Sequence, residues 1–238
     1  VLWNGSSFKD PAGPSVQFRY VSKDGEEGYP GTVQLTVTYT LTDQNELRIK
    51  YEGTTDRPTI LNPTQHSYFN LSGNFQNTIL GHQLMIEADS TTPVDNGLIP
   101  TGQLAKVENT PFDFRSATAI GARIDTANEQ LAIGKGYDHN WVLRGGGGKL
   151  AKAAELYDPS SGRLMTVLTN QPGIQFYSGN FLNGSAKGKN GIAYHRRTGL
   201  CLETQAFPDS PNKPQFPSVT LRPGQTYRQI TVYQFSTR

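Results

Sequence analysis

The chain has a single cysteine, Cys201, among 238 residues. One thiol excludes an internal disulfide and says little about redox compartment. No apolar run approaches the roughly 20 residues that a membrane-spanning helix requires. An excess of charge of either sign is also lacking. Lys and Arg number 22 against 20 Asp and Glu, and the basic residues are scattered rather than gathered in a stripe. Neither a nucleic-acid face nor a membrane partner is expected from such a distribution. Helix formers are sparse: only 116–123 and 126–133 hold enough Ala, Glu and Leu for short helical turns. The opening Val1-Leu2-Trp3-Asn4-Gly5 has no methionine, charged n-region or signal-like apolar stretch, and reads as the inside of a domain. The run Gly145-Gly146-Gly147-Gly148-Lys149 fails as a phosphate-binding loop. Leu143 stands where that pattern needs its first glycine, and Leu150 follows the lysine. A flexible hairpin tip is the expectation there.

What the chain does have is turn residues and two-residue alternation. Gly and Pro number 25 and 15, enough to punctuate many short strands. Alternation is clear in 16–21, 32–39 and 46–51, the last two separated by the hairpin turn Thr42-Asp43-Gln44-Asn45. Further strands are expected at 82–88, 140–143, 152–157, 163–169, 174–178, 200–205, 218–221 and 226–235. Many antiparallel strands with few helices predict an all-β chain, a large antiparallel β-sandwich. No linker, repeat or low-complexity tract divides it, so 1–238 reads as a single domain.

Three polar clusters interrupt this pattern. Asn62-Pro63-Thr64-Gln65-His66-Ser67-Tyr68-Phe69-Asn70-Leu71, read as a strand, places His66, Tyr68 and Asn70 on one face. An imidazole, a phenol and an amide together suit a sugar cleft; a histidine capping a core edge is the alternative. In Leu200-Cys201-Leu202-Glu203-Thr204-Gln205 the residues Cys201, Glu203 and Gln205 share a face. A carboxylate in an apolar-flanked strand must be paired or must do chemistry. Cys201 is expected to be a small buried filler rather than a nucleophile. In the third cluster, Gly136-Tyr137-Asp138-His139-Asn140-Trp141 and Pro172 to Asn180, Asp138 and Gln175 can each bond sugar hydroxyls. His82, His139 and His195 lack such company, and Asp138-His139-Asn140 has no metal-ligand spacing.

The stretch Asn62 to Gly73 resembles the aldose 1-epimerase signature around its catalytic histidine. Thr92 to Gly102, Thr110 to Arg115, Gly136 to Leu143, Pro172 to Leu182, and Cys201-Leu202-Glu203-Thr204-Gln205 through Leu221-Arg222-Pro223-Gly224 resemble that family's blocks in its order. The resemblance implies the galactose mutarotase-like β-sandwich. It implies His66 as general acid, Glu203 as general base, Asp138 and Gln175 as sugar ligands, and Tyr68 lining the same cleft. The substrate implied is a free aldohexose, with no metal, nucleotide or redox cofactor. Family members extend further at the N-terminus, where an Arg and another His reach the sugar. No counterpart stands before Asn62, so a preceding segment or a second chain is expected to complete the sandwich.

The implied reaction opens the sugar ring by taking the C1 hydroxyl proton and protonating the ring oxygen. A carboxylate near its reference pKa and an imidazole titrating near pH 6.5 suit that work. Two other readings keep the fold: a hexose-6-phosphate 1-epimerase, with Arg115, Arg196 or Arg197 approaching from loops, and a non-catalytic sugar-binding module. A glycoside hydrolase is disfavoured because those enzymes usually flank the scissile bond with two carboxylates.

Overall fold

The computed structural model describes residues 1–238. Sixteen strands follow in chain order: β1 (Asn4–Asp10), β2 (Gly13–Ser22), β3 (Val33–Leu41), β4 (Glu46–Thr55), β5 (Thr59–Ile60), β6 (Gln83–Ile86), β7 (Ala88–Thr92), β8 (Ala105–Lys106), β9 (Thr118–Ala119), β10 (Asp138–Leu143), β11 (Ala151–Asp158), β12 (Arg163–Thr169), β13 (Gly173–Tyr177), β14 (Cys201–Gln205), β15 (Thr220–Leu221) and β16 (Tyr227–Thr237). They form a nine-stranded sheet ordered β1-β2-β3-β4-β16-β12-β11-β6-β9 and a five-stranded sheet ordered β14-β13-β10-β7-β8. β15 and β5 make a separate two-stranded ribbon. Every named pairing is antiparallel, as the alternation predicts.

The expected strand at 82–88 holds β6 and only the first residue of β7, which continues to Thr92. β6 belongs to the large sheet and β7 to the small one, with the switch at Glu87. There the backbone leaves its ladder: Ile86 N–H donates to Phe114 O and Glu87 N–H to Ala153 O, both at 2.8 Å. Ala153 is itself the extra residue of a bulge in β11, a device that bends a strand out of register. Helical structure is as scarce as the composition implies. The helix α1 (Glu129–Gly134) is capped by Asn128, whose side chain accepts from Gln130 and Leu131 N–H. The stretch 116–123 supplies only β9 and one tight turn at Ile120–Ala122.

The two sheets face each other across one apolar core. Ile49, Tyr51, Met165, Val167 and Tyr233 of the large sheet pack in the same cluster as Trp141, Ile174, Phe176 and Leu202 of the small one. Buried hydrogen bonds join the layers at fixed register. Tyr233 OH donates to Leu202 O at 2.8 Å, Gln229 Nε2 to Thr204 O at 2.8 Å, and the Thr204 and Thr231 hydroxyls meet at 2.5 Å. Because side chains alternate along a strand, burying Leu202 and Thr204 inward turns Cys201, Glu203 and Gln205 to the opposite face. Trp141 inward likewise sets Asp138 and Asn140 outward, and Ile174 with Phe176 does so for Gln175 and Tyr177.

Register on that outer face depends on Gly173. A methyl group there would collide with Asn140 Oδ1 and lie 3.0 Å from Phe207 Cδ1. Gly173→Ala is therefore expected to cost about 1–3 kcal/mol through overpacking. Gly81→Ala, where nothing lies within 4 Å of the added carbon, should stay within about 0.5 kcal/mol of the parent. Urea denaturation of the two variants checks this, and equal midpoints would refute the packing argument.

Candidate active site

β14 lies at the edge of the five-stranded sheet, yet all five of its residues are buried. The reason is the stretch 62–69, which runs antiparallel along its open side. The expected strand at 62–71 does not form. Pro63 has no N–H to give to a ladder, and side chains replace the missing backbone bonds. Asn62 Nδ2 donates to Ala206 O at 3.1 Å, and its Oδ1 accepts from Ala206 N–H at 2.9 Å. Thr64 Oγ1 donates to Thr204 O at 3.0 Å. Only at Phe69 and Leu200 does a backbone bridge close, with N···O distances of 2.7 and 3.0 Å. Between these ties stands His66, opposite Cys201 and Glu203.

His66 Nε2 is 3.4 Å from Glu203 Oε1. Its other ring nitrogen, Nδ1, is 3.4 Å from Cys201 Sγ. The imidazole side chain is 54% exposed and the carboxylate 9%, so the ring stands half in solvent and the carboxylate lies buried beneath it. The Tyr68 and Tyr177 rings flank His66 at 5.3 and 6.4 Å and contact each other edge-on at 6.1 Å. Tyr177, which belongs to the third polar cluster of the sequence, is held by Phe181 N–H donating to its hydroxyl at 2.8 Å.

Strand register explains the rest of the floor. Glu203 stands opposite Gln175, Gln175 opposite Asn140, and Asn140 opposite Thr92. This is one cross-strand row of polar side chains over four strands. Asp138, one diagonal away, accepts from Gln175 Nε2 at 2.9 Å. Gln175 Oε1, both polar atoms of the Asn140 side chain and the Thr92 hydroxyl are buried without partners. Such unused bonding capacity is uncommon in protein interiors. Asn140 and Thr92 join this row only through pairing register, a signal absent from local sequence pattern.

Four of the five expected site residues, His66, Glu203, Asp138 and Gln175, line one face, and Tyr68 borders it. Asn70 does not join them. It is buried behind the cleft, where its Nδ2 donates to the carbonyls of Asn77 and Thr198 at 2.9 Å. The loop arginines are already occupied. Arg115 pairs with Asp113 and Glu108, Arg197 is buried against Asp125, and Arg196 donates to Lys135 O. His82 and His139 are core residues: His82 Nε2 accepts from Leu71 N–H, and burial drives His139 down to about 4. Beside the cleft, Tyr68, Phe75, Leu182, Ala186, Tyr194, Thr198 and Gly199 line a separate, mainly apolar cavity of about 440 Å³.

Electrostatics separates the two catalytic candidates. Burial raises the Glu203 carboxyl to about 7; nearby Asp138 adds to the rise and His66 opposes it. The sequence expectation of an ordinary carboxylate is thus corrected by desolvation. Asp138 is also raised, by burial first, with the Gln175 hydrogen bond pulling the other way. Burial pushes the Cys201 thiol far up, reinforced by Glu203 and Asp138, and Tyr68 to about 12. Both remain protonated at neutral pH. His66, Cys201 and Glu203 place their donor atoms within 4.8 Å of one another. With the thiol neutral, this set is suited to moving protons.

Comparisons with known proteins place nearly the whole chain in one family. The family model described as aldose 1-epimerase matches residues 1–234. Human galactose mutarotase is 47% identical over 236 residues, which is 99% of this chain and 66% of that protein. The aldose 1-epimerase of Escherichia coli K12 is 42% identical over 222 residues, 92% of this chain and 63% of its own length. The chain therefore spans about two thirds of the length of the curated relatives it matches. Among solved structures, a GalM/aldose epimerase homologue from C. elegans superposes with a TM-score of 0.85 at 33% identity, covering 99% of this chain and 68% of that one. The galactose 1-epimerase of Lactobacillus acidophilus NCFM also gives 0.85, at 28% identity, with 99% and 66% covered. A family match over nearly the whole chain, together with these identities, makes this protein a member of the aldose 1-epimerase family.

Proposed function

We propose that the protein interconverts the α and β anomers of free aldohexoses such as D-galactose and D-glucose. The observation that carries this reading is the 3.4 Å separation of His66 Nε2 and Glu203 Oε1 above a polar floor. The two oxygens that exchange protons in mutarotation, O1 and O5, share one carbon, so a base and an acid must stand side by side. Glu203 takes the C1 hydroxyl proton while protonated His66 gives its Nε2 proton to O5. The C1–O5 bond breaks as C1=O1 forms. Rotation about C1–C2 presents the other face of the aldehyde. O5 then attacks C1, its proton returns to His66, and O1 recovers one from Glu203. Asp138 and Gln175 hold ring hydroxyls, and Tyr68 and Tyr177 offer aromatic walls. Occupied loop arginines disfavour a 6-phosphate substrate.

Polarimetry of freshly dissolved α-D-galactose and α-D-glucose tests the reaction directly. Faster decay to the equilibrium rotation is the expected result. An unchanged decay despite sugar binding would leave a binding module, and acceleration confined to glucose-6-phosphate would favour the phosphorylated substrate.

Each member of the pair supplies roughly 10²–10⁴-fold as a positioned acid or base. His66→Ala and Glu203→Ala should each lower turnover by roughly 10²-fold or more, and the double variant should be little worse than the poorer single one. A folded Glu203→Ala protein of near-parental activity would sink the assignment.

The pair should also shape the pH profile. The rising limb of kcat/KM should report ionisation of Glu203, the group that must be a carboxylate to accept the C1 hydroxyl proton. That limb should lie near the value of about 7 to which Glu203 is raised. Asp138 contributes to the rise, so removing its charge favours ionised Glu203 and lowers the pKa. Asp138→Asn should therefore move the limb to lower pH while KM increases. A limb that stays fixed or moves upward would show that Asp138 does not act on Glu203.

A further inference from the structure

Cys201 has a role that burial alone does not explain. Its Sγ is 3.4 Å from His66 Nδ1, a normal length for a hydrogen bond to sulfur, and no other hydrogen-bond partner of Nδ1 is present. We propose that Cys201 is a positioning residue, accepting a hydrogen bond from His66 Nδ1–H so that Nε2 is the nitrogen that gives and recovers the proton. The inference rests on the reading of His66 as the general acid.

Acid catalysis supplies the direction of the bond. To act on O5, the imidazole must alternate between a protonated and a bare Nε2, so the proton that never leaves must reside on Nδ1. A neutral imidazole donates from one nitrogen and accepts at the other. A partner that accepts at Nδ1 keeps the hydrogen there and leaves Nε2 free to turn over. Sulfur is a weak acceptor, so the bond selects the tautomer without placing a second carboxylate charge against the imidazolium beside Glu203.

The thiol is suited to this because it stays neutral. Burial, with Glu203 and Asp138 adding to it, pushes its ionisation well above the ordinary cysteine range. The charged and titratable groups around His66 are Glu203 at Nε2, Asp138 farther along the floor, and the neutral phenols of Tyr68 and Tyr177. None of these phenols or carboxylates is bonded to Nδ1. The ring sits on a stretch tied by side chains rather than a full ladder and is half exposed. A contact on the ring's inner nitrogen adds a directional restraint on its rotation to those from Glu203 at Nε2 and the flanking Tyr68 and Tyr177 rings.

The test needs two readouts. Long-range ¹H–¹⁵N correlation on the unsubstituted protein, at a pH where His66 is neutral, should show hydrogen on Nδ1 and a bare Nε2. Free histidine favours the opposite tautomer, so this outcome is specific to the proposed bond. Cys201→Ala should shift the population toward Nε2–H and lower kcat about tenfold, since small misplacements of reacting groups are costly, while KM stays within about twofold. Cys201→Ser, whose hydroxyl also accepts, should keep the Nδ1–H form and recover most of kcat. An Nε2–H tautomer in the unsubstituted protein would overturn the proposal, as would an alanine variant with unchanged tautomer and kcat. If the tautomer is as expected but no mutarotation occurs, the proposed function fails while the hydrogen bond stands.

Discussion

The docking of 62–69 against the open edge of β14 is the constraint on which the site depends. An edge strand exposes unpaired backbone groups, and proteins cover such edges with loops or charges. Here the cover is built from Asn62 and Thr64, which bond the backbone of Ala206 and Thr204, and from the single bridge at Phe69 and Leu200. Each such bond contributes only about 0.5–1.5 kcal/mol net. Together they fix the one distance that matters, between residues far apart in the chain. Tyr39 OH donating to Gln65 Oε1 at 3.1 Å secures the same stretch to the large sheet, so His66 is held from both layers of the sandwich.

Using a loop rather than a paired strand gives the two members of the pair different environments. Glu203 lies in a ladder, between Gln175 on one side and the docked loop on the other, and loses its water. Desolvation then raises its pKa toward neutrality, where a general base is efficient. His66, carried by the loop, keeps half its surface in solvent. A full strand at 62–71 would have fixed the imidazole as firmly as the carboxylate, and with it Asn70 on the same face. Instead the chain turns after Phe69, and Asn70 clasps the backbone of the following turn.

Much of this was legible in the residues. The expected strands located β3, β11, β12, β13, β14 and β16 to within one or two residues, whereas β2 begins three residues earlier and β4 runs four residues further than the alternation shows; strand parity correctly grouped Cys201 with Glu203. The switch at Glu87 was not legible, because β6 and β7 follow one another with a single residue between them and only tertiary pairing shows that they serve different sheets. His66 and Glu203 were connected through family resemblance, since no local pattern joins positions so far apart. Cys201 illustrates the limit differently. Its burial followed from its place between Leu200 and Leu202, whereas its contact with a ring nitrogen depends on how a separate loop lies across the strand.

The polar row from Glu203 through Gln175 and Asn140 to Thr92 completes the argument about how fold becomes function. In a sandwich, the inward face of each strand is obliged to be apolar, and Leu202, Ile174, Phe176 and Trp141 meet that requirement. The outward face, though also covered, is not obliged to be apolar, and register decides which of its side chains become neighbours. Gly173 lets Asn140 lie close over β13, keeping the row continuous across four strands. Buried amide and hydroxyl groups left without partners carry a desolvation penalty, and Gln175 Oε1 is the member of the row adjacent to Glu203. Under the proposed function, a bound sugar would relieve that penalty beside the carboxylate that takes its proton, which would couple binding and chemistry through neighbouring positions on two paired strands.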